Sequence, residues 1–153
     1  MARIRSLLMV GALFLSGTAG ARAQSADAIQ KYLAARAPEC SIYGYEEYFR
    51  GSIPGMSQPV TVAAYTVEGC GGGNNWARFV SAFYSPDGSV REFGHSAAGI
   101  PGPDIGDKRG VTVRGKRMTV RYSDYAPQDP RCCPSLHKTA AYRLVNGAIV
   151  PGR

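Results

Sequence analysis

Trp76-Ala77-Arg78-Phe79-Val80-Ser81-Ala82-Phe83-Tyr84, followed by Ser85-Pro86-Asp87-Gly88, decides how the chain is read. Aromatic and β-branched side chains suit a pleated, half-buried surface, so the nine residues form the strongest strand signal in the sequence. The next four supply turn chemistry, with proline early and glycine late. Val90 to His95 then returns as a partner strand.

The pattern extends outward in both directions. Upstream, Val60 to Glu68 is rich in β-branched residues and reads as a strand, with Gly69 to Asn75 as the loop that follows. Ile42 to Phe49 is an aromatic-rich strand candidate, and Gly51 to Pro59 is a loop punctuated by glycine and proline. Ser25 or Asp27 can cap a helix from about Ala26 to Ala37. In it Ile29, Leu33 and Arg36 follow helical spacing, Tyr32 lies beside them, and Pro38 supplies the stop. Downstream, Ala98 to Arg109 is an irregular connection. Val111 to Arg114 and Met118 to Tyr122 form a hairpin turned at Gly115-Lys116. In its second arm Met118, Val120 and Tyr122 alternate with Thr119 and Arg121, so one face is buried and the other is wet. Thr139 to Val145 alternates similarly through Ala140, Tyr142 and Leu144. Asn146-Gly147 is a strong two-residue hairpin signal, with Ala148 to Val150 as the return. The sum predicts an α+β fold, an N-terminal helix packed on a curved antiparallel β-meander, with a small all-β barrel as the alternative.

The chain start carries its own signal. Arg3 and Arg5 form a positive region, Leu7 to Leu15 an apolar one, and Ala21-Arg22-Ala23 a cleavage site. This predicts a secretory signal peptide over residues 1–23 and a single domain over 24–153. No later run approaches the ~20 apolar residues that a spanning helix needs. The formal net charge is +7, from 18 Lys and Arg against 11 Asp and Glu; with Arg3, Arg5 and Arg22 removed, 15 remain against 11. That modest excess, on an exported chain with no basic helix, gives no reason to expect nucleic acid. Its densest cluster is Arg109, Arg114, Lys116, Arg117 and Arg121, which an anionic envelope surface would complement. Ordinary solubilising charge on a hairpin explains the same residues.

Four cysteines, Cys40, Cys70, Cys132 and Cys133, predict a disulfide-stapled domain in an oxidising compartment. Adjacent Cα atoms lie ~3.8 Å apart, whereas an unstrained disulfide wants roughly 4.4–6.8 Å. That disfavours a Cys132–Cys133 ring and leaves Cys40 and Cys70 each tied to one of the pair, the order open. Such a clasp would close a loop of about 60 to 90 residues and contribute roughly 4 kcal/mol. A redox switch or a soft-metal site using Cys132, Cys133 and His137 is the alternative.

Other residues suggest sites more weakly. Gly94-His95-Ser96-Ala97-Ala98, with Asp104 and His137 after it, imitates a hydrolase triad, but no strand-turn-helix context surrounds it. Cys70-Gly71-Gly72-Gly73-Asn74-Asn75 could cradle an anion through backbone N–H groups, yet no lysine or helix follows at phosphate-loop spacing. Glu46 and Glu47 are adjacent, so a strand would point them to opposite sides. Tyr43, Tyr45, Tyr48, Phe49 and Trp76 could form an aromatic platform for a glycan or peptide, although aromatics at this density also build cores. The candidate binding surface is therefore Tyr43, Tyr45, Tyr48 and Trp76, with Arg114, Lys116 and Arg117 as its basic part.

At Gly69-Cys70-Gly71-Gly72-Gly73-Asn74-Asn75-Trp76 and Asp129-Pro130-Arg131-Cys132-Cys133-Pro134-Ser135 the chain resembles the LppP/LprE family of bacterial envelope proteins. There a G-C-x-G-type loop before a tryptophan is followed by a D-x-R-C-C-P-S motif. The resemblance covers roughly Tyr65 to Val150 and implies an exported, envelope-associated protein, with no reaction to carry over. Actinobacterial members are lipoproteins; this chain has no lipobox cysteine, which favours a soluble periplasmic form. Together these readings predict a non-catalytic periplasmic or secreted protein without cofactor or metal, serving as a structural or binding module for an envelope protein, glycan or small ligand. A thiol-redox or metal-handling protein is the alternative.

Overall fold

The computed structural model describes residues 25–94, 100–103, 109–130 and 133–152. The predicted signal peptide and the segment from His95 to Gly99 lie outside them.

One α-helix, α1 (Ala26–Arg36), precedes eight strands: β1 (Ser41–Gly51), β2 (Val60–Glu68), β3 (Trp76–Tyr84), β4 (Arg91–Glu92), β5 (Val111–Arg114), β6 (Arg117–Asp124), β7 (Leu136–Val145) and β8 (Ala148–Pro151). Ser25 caps α1, its Oγ accepting from the Ala28 N–H at 3.2 Å. The strands form two four-stranded sheets, β1-β2-β3-β4 and β5-β6-β7-β8, and all pairings between named strands are antiparallel. The β5–β6 hairpin turns at Gly115-Lys116, with Arg114 opposite Arg117. The β7–β8 hairpin turns at Asn146-Gly147, both residues at positive φ.

This corrects the fold expected from the sequence. The molecule is mostly β. It has neither one meander backed by a helix nor, among the described residues, a closed barrel: it has two sheets in separate layers. The cause lies in β2 and β3. In β2 every residue from Val60 to Thr66 is buried, so the strand cannot present one face to water. Val60, Val62 and Ala64 of β2, with Val80 and Ala82 of β3, pack against Val111, Met118, Val120, Leu144 and Ile149 of the second sheet. Ala63, Tyr65 and Phe83, on the opposite face, pack against Ile29 and Leu33 of α1. A strand apolar on both faces needs two covering layers, and α1 is too short to be more than one of them. The second sheet supplies the other.

Main-chain bonds tie the layers together. The N–H of Gly94 donates to the Gly147 carbonyl at 2.8 Å, and the Ile149 N–H donates to Gly94 O at 2.7 Å. The chain also returns along β3: the Val80 N–H donates to Ile100 O at 3.1 Å, and the Gly102 N–H to Arg78 O at 2.8 Å. At Gly102 a Cβ would lie 2.9 Å from the Arg78 carbonyl carbon, so only glycine fits this approach.

The disulfide pattern is the second correction. Cys40 and Cys70 bond to each other, with Cα atoms 4.4 Å apart, so neither is tied to the vicinal pair. The β1–β2 register explains it. Ser41 lies opposite Glu68, which brings the residue before β1 beside the turn after β2. Cys133 is also disulfide-bonded, and Cys132 lies outside the described residues. The bridge therefore staples one hairpin of the first sheet and does not clasp the N-terminal part to the C-terminal hairpins.

Candidate ligand cleft

Strand β3 runs past the cover of both neighbouring layers at its N-terminal end. Three residues of like parity show the transition: Val80 is fully buried, the Arg78 side chain is 7% exposed, and Trp76 is 49% exposed. Beside this end lies a cleft of about 840 Å³. Asn74, Asn75, Trp76, Ala77 and Arg78 line one side. Pro101, Gly102 and Pro103 contribute from the return segment, and Ser123, Tyr125, Asp129 and Pro134 from the second sheet and its β6–β7 loop. Tyr125 is 48% exposed. The volume falls within the range of ~300–1,000 Å³ usual for small-molecule sites.

The charged groups of the cleft are engaged elsewhere. Arg78 donates through Nη2 to Glu46 Oε2 at 3.1 Å, and through Nη1 to Gly44 O at 3.0 Å and Thr66 Oγ1 at 3.2 Å. Its Nε is buried with no hydrogen-bond partner among the described residues. Gly44 adopts positive φ beside this guanidinium; a Cβ there would sit 3.2 Å from Nη1. Asp129 organises its own loop, Oδ2 accepting from the N–H groups of Ala126 and Ser135 at 2.7 Å each and Oδ1 from Ser135 Oγ at 2.8 Å. The Ala126 and Ser135 N–H groups hold its carboxyl below the usual aspartate range. Asp124 is likewise held low by Lys138, whose Nζ lies 2.6 Å from Oδ2. By contrast, no hydrogen bond among the described residues engages the side-chain amides of Asn74 or Asn75. The stretch containing the D-x-R-C-C-P-S motif thus builds one wall of the cleft, and its aspartate shapes that wall.

The residues singled out from the sequence are distributed over three places. Trp76 lines the cleft, and Tyr43, 43% exposed, lies at the same end of the first sheet. Tyr45 packs toward α1, with its hydroxyl buried and its pKa pushed up to about 12, first by burial and then by Glu47. Tyr48 and Phe49 pack on the cluster between the sheets, and the Tyr48 hydroxyl donates to Glu46 Oε2 at 2.8 Å. Burial and that bond raise the Tyr48 pKa to about 12. Arg114, Lys116 and Arg117 are exposed around the β5–β6 turn, at the opposite end of β6 from the cleft.

Of the triad-like residues, His95, Ser96 and Asp104 lie outside the described residues. His137 is on β7, its Nδ1 3.4 Å from Ser123 Oγ. Among the described residues no three His, Cys, Asp or Glu side chains come together as metal ligands. The glycine loop turns its N–H groups inward: Gly72 donates to Gly69 O and Gly69 donates to Asn75 O, both at 3.0 Å. The same loop sets Asn74 and Asn75 on the cleft rim next to the Cys40–Cys70 bridge. Sequence reasoning missed Arg78 and Tyr125 as neighbours of Trp76. Arg78 shares a face of β3 with Trp76 two residues away, whereas Tyr125, just after β6, comes beside them only once the two sheets stack.

Comparison with family models, with curated proteins and with solved structures finds no match for this chain. The resemblance to the LppP/LprE family rests on the two sequence stretches alone.

Proposed function

We propose that this is an exported, non-catalytic binding module of the cell envelope, related to the LppP/LprE family, and that its cleft at the open end of β3 takes a small ligand. The observation that carries the reading is the cleft itself. Two half-exposed aromatic side chains and two unengaged amides line it, while its arginine and aspartate are committed to other protein groups. Groups that bind and orient are present, and among the described lining residues no acid, base or nucleophile stands poised. A disulfide matches an oxidising compartment, and no helix among the described residues is long and apolar enough to cross a membrane. Both fit a periplasmic or secreted location. With Cys40 and Cys70 bonded to each other, the thiol-redox alternative rests on Cys132 and Cys133 alone.

Trp76 is the only tryptophan of the chain, so selectively excited tryptophan fluorescence reports on this cleft. The test is titration of the full protein with chemically distinct probes: neutral oligosaccharides, short peptides, a quaternary ammonium compound and inorganic phosphate. A saturable change with any one supports the reading. Silence across the panel, with Trp76 freely quenched by acrylamide, overturns it. Intact mass after export tests the compartment: cleavage after Ala23 is expected, and retention of residues 1–23 in a cytoplasmic product would refute it.

A further inference from the structure

We infer that the cleft between Trp76 and Tyr125 is a saccharide site for a neutral glycan of two or more rings. The inference rests on the binding-module reading and narrows it. Four observations point to this chemistry.

First, among the described residues the lining offers no unengaged cation to an anionic ligand. The two Nη atoms of Arg78 serve Glu46, Gly44 and Thr66, and its Nε is buried. Second, it offers little to a cation. Asp129 is the one carboxylate among the described residues of the lining, and Ala126 and Ser135 occupy both of its oxygens. Third, the lining presents two half-exposed aromatic side chains and two amides. Trp76 and Tyr125 each expose about half their surface. Flat aromatic rings stack on the C–H faces of pyranose rings, and each Asn74 or Asn75 amide both donates and accepts, as ring hydroxyls require. Fourth, about 840 Å³ is much more than one small ammonium group or a single sugar ring would fill.

The rim is also held in place before any ligand arrives. Cys70, on the loop leading to Asn74 and Asn75, is bonded to Cys40, and Asp129 fixes the loop that carries Tyr125 and Pro134. A preformed rim reduces the ordering cost of binding.

The experiment follows Trp76 fluorescence of the full chain during titration with maltohexaose and with an N-acetylglucosamine tetramer. A saturable change with at least one is expected, with Kd of about 10 μM to 1 mM. For a neutral ligand that Kd should change less than about twofold between ~50 mM and ~500 mM salt, since screening acts on charge pairs. Tyr125→Ala keeps the reporter and should weaken binding at least about tenfold; Asn75→Ala should weaken it by a smaller factor. Lys116→Ala, at the far end of β6, should leave it unchanged. If short peptides or the quaternary ammonium probe saturate the signal and both oligosaccharides do not, the saccharide inference fails and the binding module stands. If no probe saturates it, both fail. If an oligosaccharide binds but Tyr125→Ala binds equally well, the site lies elsewhere and this assignment is wrong.

Discussion

Strand β3 has two halves that obey different rules. From Val80 to Phe83 it is enclosed on one face by α1 and on the other by the second sheet. From Trp76 to Arg78 it extends beyond both, and its side chains line an open cleft. One continuous backbone therefore carries an enclosed half and an open half, and the proposed binding function falls on the open one. The enclosed half tolerates little change because interiors are close-packed. The open half is fixed by what surrounds it: a disulfide, an aspartate-organised loop and a guanidinium locked to Glu46. Exposed residues of the open half can then vary without loss of the fold.

The strongest way to break this contrast is Phe83→Ala. Phe83 is fully buried and meets Tyr32 edge-on, with ring centroids 6.2 Å apart, and Tyr65 at 6.5 Å. Removing it empties the space between α1 and the first sheet, at a cost of about 3–5 kcal/mol in urea unfolding. A cost below ~1 kcal/mol would mean that the helix layer does not hold the enclosed half.

Next in size is the bridge. Replacing Cys40 and Cys70 together with alanine releases a link spanning 30 residues. The expected loss is about 3 kcal/mol, mostly through a less constrained unfolded chain. Because Cys70 also anchors the rim at Asn74 and Asn75, the variant should quench more readily with acrylamide at Trp76. Stability lost with unchanged quenching would separate the bridge from the cleft.

These first two variants bear on what the sequence could and could not convey. The spans of β2, β3 and β5 follow directly from β-branched runs and turn residues, and both tight hairpins follow from Gly115-Lys116 and Asn146-Gly147. Local composition governs such features. Stacking was hidden because period-two alternation reveals one-sided strands, whereas Val60 to Thr66 is buried on both sides and shows no alternation. The disulfide did leave a trace. Cys40 and Cys70 lie equidistant from Gly55, in the loop between β1 and β2, as partners across a hairpin should. Strain at Cys132-Cys133 does not by itself decide how Cys40 and Cys70 pair; that hairpin symmetry does. The cleft was half legible: Trp76 and the glycine loop stood out, but Tyr125 reaches them only through the stacking of the sheets.

A smaller effect sharpens the contrast through pH. Tyr65, 6% exposed, shares a hydrogen bond of 3.1 Å with Ser81 Oγ and lies 3.5 Å from Glu92 Oε1. Burial first, then the Glu92 charge, pushes its pKa up to about 12. The folded protein thus keeps this proton over a range where the unfolded chain, with tyrosine near ~10, has released it. Stability is then fully present below pH ~10 and falls as pH rises toward about 12. Tyr65→Phe should cost about 1 kcal/mol at neutral pH and flatten the alkaline decline in a series of melting temperatures. An unchanged decline would assign it to other tyrosines, of which Tyr45 and Tyr48 are also raised to about 12.

The smallest effect is the most diagnostic. Trp76→Ala removes the largest aromatic of the open half, yet Trp76 is 49% exposed and lies beyond the enclosed core. Surface substitutions away from cavities, caps and buried polar groups usually stay within about 0.5 kcal/mol, and this one should do the same. A fully buried residue of that size would cost several times more on removal. Near-zero cost in urea unfolding, set beside the large loss for Phe83→Ala seven residues along the same strand, would show that Trp76 does not hold the fold together, as the proposed cleft requires. A cost approaching that of Phe83→Ala would merge the two halves of β3 into one core, and the cleft would lose its principal binding surface.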